Sequence, residues 1–142
     1  MFRSITARTL RHELAVEVKF DYDNVNRMIH VYPGEWLALP LVRNYFNAIL
    51  DDDNIEPGFV EIVHFDSIKS FDLSSNDAIE LKGLATRIVE KKQQRGVIII
   101  ATSILQFGMA RMMLTIVEGD AIPTIIVRSE EEAMLEADKL RR

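Results

Sequence analysis

The chain has 142 residues, 48% hydrophobic and 27% charged, with a formal net charge of −5 and no cysteine. That length suits one domain with a sufficient core, and the acidic balance argues against nucleic-acid binding. The lack of cysteine excludes disulfides, thiolate nucleophiles and cysteine-ligated metals.

The opening, MFRSITARTLRHELAVEV, breaks every apolar run with a charge, unlike a signal peptide. Residues 1–12 read as an N-terminal extension with its own mobility. Residues 14–20 (LAVEVKF) and 28–32 (MIHVY) alternate apolar and polar side chains around an Asp/Asn-rich stretch, which predicts an antiparallel hairpin. Ala38, Leu41, Val42, Tyr45, Phe46 and Ile49 then recur at helical spacing, with Pro40 tolerated in the first turn. Asp51, Asp52 and Asp53 oppose the dipole at the end of that helix. Pro57-Gly58 turns into a third strand over 59–65.

A second helix is expected from about Ser75. Leu81, Leu84, Ala85 and Ile88 form its inner stripe, with acids at its start, Lys91 and Lys92 at its end, and Gly96 as punctuation. Residues 97–101 (VIIIA) are apolar on both faces, as a central strand covered on both sides must be. This run is far too short to cross a bilayer, and a cytoplasmic protein without a membrane span is expected. A third helix carries Leu105, Met109, Met112, Met113, Ile116 and Val117 on its inward stripe. Gly119-Asp120 leads into a fifth strand over 123–127. Ser129 with Glu132 makes a capping box for a last helix, whose stripe is Ala133, Met134, Ala137 and Leu140. The predicted order is ββαβαβαβα: one α/β domain, a mixed five-stranded sheet flanked by about four helices.

The element order, with FDSIKSFDLSSNDAIEL over 65–81 and LQFGMARMM over 105–113, resembles the SpoIIAA-like group of the STAS (sulfate transporter and anti-sigma factor antagonist) superfamily. The resemblance runs from Leu14 to Leu140. It implies a STAS-type sandwich used for protein–protein or apolar-ligand binding rather than catalysis. In the anti-sigma-antagonist branch a D-S-S-G-L motif puts a phosphorylated serine at the head of the second helix. Here Asp72, Ser74 and Ser75 occupy that place, with Leu73 interposed and Asn76-Asp77 following. The simpler reading, which we prefer, makes Ser74 an N-cap with Asp77 as its reciprocal partner and Ser75 the first helical residue.

Other constellations are weaker. Asp66 followed by Thr102 and Ser103 is laid out like a phosphoacceptor receiver, but two strands precede the first helix and Arg128 stands where a lysine is needed; Asp66 reads as a turn former. His12, His30 and His64 lie on separate elements without ligand spacing, so no metal site is expected. No nucleotide cradle, acyl-transfer elbow or other catalytic set is present, and no cofactor is expected. Phe107, Gly108, Met109, Arg111 and Met112 form a candidate ligand or partner surface, because methionines adapt to varied partners and Gly108 admits close approach. In that reading Gln106, Gly108 and Arg111 point away from the inward stripe. The expectation is therefore a non-enzymatic interaction or regulatory module with a protein partner and a homodimer, the serine turn being the place where a switch would sit. The alternative is a small carrier of an apolar or lipid-like ligand between sheet and helices.

Overall fold

A computed structural model describes residues 2–8, 15–117 and 122–141. In chain order the elements are β1 (Phe2–Arg8), β2 (Ala15–Asp23), β3 (Met28–Tyr32), β4 (Trp36–Ala38), α1 (Leu39–Asp51), β5 (Val60–His64), β6 (Ser70–Asp72), α2 (Ser75–Lys92), β7 (Gly96–Ile100), α3 (Ile104–Val117), β8 (Thr124–Val127) and α4 (Glu130–Arg141). The main sheet has the order β1-β2-β3-β5-β7-β8. Its first two pairings are antiparallel and the remaining three parallel.

The five anticipated strands and four helices are all present in a mixed α/β arrangement. Three strands are additional. β1, read from sequence as an extension, pairs with β2 along its whole length, from Phe2 opposite Asp21 to Arg8 opposite Ala15. Its weak apolar alternation hides it, because an edge strand is held as much by its ladder as by its side chains. β4 and β6 are three residues each and, among the described residues, pair only with one another, in parallel. His12 and the Gly119-Asp120 turn lie outside the described residues.

Strand period decides which layer each side chain joins. One face of the sheet carries Phe20, Ile29, Val31 and Ile99 into a core shared with Leu41, Tyr45, Phe46, Ile49, Leu81 and Ile88. The other carries Met28, Val60, Ile62, Ile98 and Ile100 against Ala133 and Ala137 of α4. The run 97–101 is central as expected, since Ile98 and Ile99 are both buried yet belong to opposite layers.

The helix ends show how sequence closes each element. α2 begins in a capping box: Asp77 N–H donates to Ser74 Oγ at 3.1 Å and Ser74 N–H to Asp77 Oδ2 at 2.9 Å. It ends at Gln93, held in the left-handed region at φ 51°. Gly96 therefore does not end the helix. It opens β7, where a Cβ would come within 2.6 Å of Leu140 Cδ1, so glycine is there to let α4 sit close to the strand. Glu132 N–H donates to Ser129 Oγ at the start of α4, one half of the anticipated capping box. The C-terminal carbonyls of α1 receive their cations from α2: Lys91 Nζ donates to Leu50 O at 2.9 Å, and Lys92 Nζ to Asp52 O at 2.8 Å.

Candidate functional site

β5 shows two chemistries back to back. Successive side chains alternate between layers, so Glu61 and Val63 face α1–α3 while Val60, Ile62 and His64 face α4.

On the α1–α3 side the layers leave a cavity of about 140 Å³. Its wall is almost wholly apolar, with Val31 and Val63 from the sheet, Phe46 from α1, Val89 from α2 and Met113 from α3 among the contributors. Five polar side chains break it, Glu61, Tyr45, Gln94, Thr86 and Thr124, and the first three meet one another. Tyr45 OH donates to Glu61 Oε2 at 2.5 Å, and Gln94 Nε2 lies 3.5 Å from Glu61 Oε1. Burial raises the Glu61 carboxyl above the usual glutamate value, and the bonds from Tyr45 and Gln94 offset part of that rise. The Tyr45 phenol is pushed well above its ordinary value by burial, then by the nearby Glu61 charge. The pair is thus a fixed hydrogen-bonding point in an apolar chamber, where such bonds gain strength from the low dielectric. Nothing in the period-2 reading of β5 singled out Glu61, because a glutamate at an alternating position reads as solvent-facing.

The sequence candidates fall elsewhere. Ser74, Ser75 and Asp72 are exposed at the head of α2, with the Ser74 hydroxyl engaged as the cap. The α3 candidates divide. Phe107 is half-buried beneath Arg128, whose Cζ is 5.8 Å from the ring centroid. Gly108, Arg111 and Met112 are exposed, and Met109 is half-buried. A Cβ at Gly108 would meet nothing within 4 Å among the described residues, so no packing they show requires glycine there.

The inward stripe expected for α3 holds at Met109 and Met113, which pack against the core, and is corrected at Leu105 and Met112. Leu105 is 60% and Met112 52% exposed, whereas Gln106 and Ala110 are buried. Gln106 sets this phase: its Oε1 accepts from Thr102 N–H and Oγ1, and its Nε2 donates to Asp66 O at 2.8 Å. It is a structural clamp between the β5 and β7 loops and is not an outward ligand group.

On the α4 side, His30 and His64, kept apart in the sequence reading, meet. β3 and β5 are parallel neighbours with His30 opposite Ile62, so His64 lies one same-face step further along. His30 Nδ1 is 3.1 Å from His64 Nε2. Tyr32 stacks on His64 with centroids 4.3 Å apart and planes 17° from parallel. Burial, then the neighbouring His30, lowers the pKa of His64.

Comparison of the chain with protein-family models, with curated proteins and with solved structures finds no match. Among the described residues, no helix is long and apolar enough to cross a membrane.

Proposed function

We propose that the protein is a non-enzymatic carrier or sensor of a small apolar molecule bearing one hydrogen-bonding group, held between the sheet and α1–α3. The observation that carries this reading is the apolar cavity with the Glu61–Tyr45 pair in its wall. At about 140 Å³ it is close to the volume of an engineered cavity known to take up benzene, so a single ring or short acyl chain sets the ligand's scale. Apolar contact would supply affinity and the Glu61–Tyr45–Gln94 cluster orientation. The reading agrees with one of the two uses implied by the STAS resemblance.

Native mass spectrometry of protein isolated from cells tests it directly. A species heavier than the 16.3 kDa chain by a small-molecule increment, absent from Ala85→Phe, is the expected result. Bare polypeptide mass, with no uptake of phenol or octanoate by the purified protein, would reject it.

A second reading, an interaction module that forms a homodimer, is favoured by Ile104, Leu105 and Met112 of α3, which are 92%, 60% and 52% exposed. In that reading Ser75, exposed beside the capping serine, is the modification point. Light scattering at micromolar concentration showing a doubled mass, lost on Leu105→Glu, would support it. A monomer throughout, with no phosphate found on Ser74 or Ser75, would reject it.

A further inference from the structure

The α4 face of the sheet carries an arrangement independent of the apolar cavity. His30 comes from the middle of β3, His64 ends β5, and Glu130 is the first helical residue of α4. Their ligand atoms all lie within 4.8 Å of one another.

The histidine pair has the spacing of a chelate. Two metal–nitrogen bonds of about 2.0–2.1 Å, spread by a tetrahedral angle, place their nitrogens about 3.3 Å apart. His30 Nδ1 and His64 Nε2 are 3.1 Å apart, so little movement is needed. Without a cation the two facing nitrogens share one proton, one donating and the other accepting; a metal ion takes that proton's place.

The setting holds the pair ready. His64 is buried, and the stacked Tyr32 ring fixes its plane. His30 is held within a strand paired on both sides. Glu130 is exposed at the head of α4, so its carboxylate can swing the remaining distance without disturbing the core. Asp66 also acts electrostatically on the His64 ring, and Asp21 on Tyr32; the local field favours a dication, with Lys19 opposing it from the rim. Beside the pair a cavity of about 340 Å³, bounded by Lys19, Tyr32, Gly34, His64, Asp66 and Ser67, leaves space for a further ligand.

We infer that His30, His64 and Glu130 form a binding site for a divalent transition-metal ion of the zinc type, with an open fourth position facing that cavity. Two imidazoles and one carboxylate form the donor set of zinc sites that keep a position for water or another ligand. The donor set contains no sulfur, which disfavours soft metals, and its nitrogens disfavour calcium and magnesium.

The test is titration of the chelator-treated full chain with Zn²⁺ and, separately, Co²⁺, following heat and the visible absorption of bound cobalt. One ion per chain is expected, with a rise in melting temperature. Loss of an outer-shell partner weakens metal sites roughly 10–100-fold, so His30→Gln and His64→Gln should each cost at least that much, and Glu130→Gln about 10-fold. Glu90→Gln, exposed on α2 in the opposite layer, should leave the affinity unchanged. If His64→Gln fails to fold, His30→Gln and Glu130→Gln decide the matter, because both alter positions that are not fully buried. No saturable binding, or binding indifferent to His30→Gln and Glu130→Gln, would overturn the site. So would an equal loss in Glu90→Gln.

Discussion

The two faces of the sheet are built from the same strands but finish differently. On one, α1, α2 and α3 close over the strands, and Glu61 is left in an apolar layer with Tyr45 and Gln94 as its partners. On the other, α4 covers β5, β7 and β8, while His30 and Tyr32 remain half-exposed beside it. The same residue spacing therefore yields a perturbed carboxyl on one side and, on the other, a half-exposed His30 against a buried His64. What a polar side chain becomes is decided by how many helices cover its face, more than by the strand it stands on.

The comparison is broken most severely at the strand common to both layers. Ile99→Asp puts an unpaired carboxylate into the closed layer, at a cost of several kcal/mol against a total stability of roughly 5–15 kcal/mol. The domain should lose its cooperative melt; a transition near that of wild type would refute the buried assignment of Ile99.

The next effect belongs to the α4 face. Gly96→Val would press on Leu140 and on the Pro123 carbonyl, which lies 3.1 Å from an ideal Cβ. Overpacking of this kind costs about 1–3 kcal/mol. Denaturant unfolding should register it, and an unchanged midpoint would mean that α4 does not depend on that close approach.

The closed face should reveal itself through pH. The Glu61 carboxyl is raised above its ordinary 4.5 chiefly by burial. Its contribution is fully present below about 4.5 and is lost as pH climbs through the raised value. Wild type should lose stability relative to Glu61→Gln across that interval, by no more than about 1.4 kcal/mol per pH unit for one proton. Parallel stability curves for the two proteins between pH 4 and 8 would show that the carboxyl is not held in an apolar layer.

The smallest effect lies outside both faces, at the capping box. Ser74→Ala should cost about 1 kcal/mol while Ser74→Asp stays near neutral, because aspartate caps as well as serine. Equal losses in both would remove the cap from the account of α2.

These residues also show what a sequence can and cannot disclose. Caps are local, so Ser74–Asp77 and Ser129–Glu132 were readable three residues apart. The doubly apolar run at 97–101 was readable because a central strand has no polar side. The phase of α3 was not, since Gln106 is anchored by Thr102 and the distant Asp66 carbonyl, and methionine is apolar enough to suit either side of a helix. β4 and β6 are too short to show a period. The meeting of His30 and His64 depends on parallel register across 34 positions, which no spacing rule along the chain encodes. Glu61 was hidden for the converse reason, because its alternation suits a solvated strand and only the covering helices enclose it in the cavity wall.

The lysines at the end of α2 have a consequence for how the molecule opens. Lys91 and Lys92 donate to Leu50, Asp52 and Ile55, the last carbonyls of α1 and the turn beyond it. Lys92 is only 5% exposed, so releasing it means separating the two helices. Neither end can fray alone without leaving a buried cation or orphaned carbonyls behind. Amide protons in the last turns of α1 and α2 should therefore exchange with solvent at a common rate, as one cooperative opening unit.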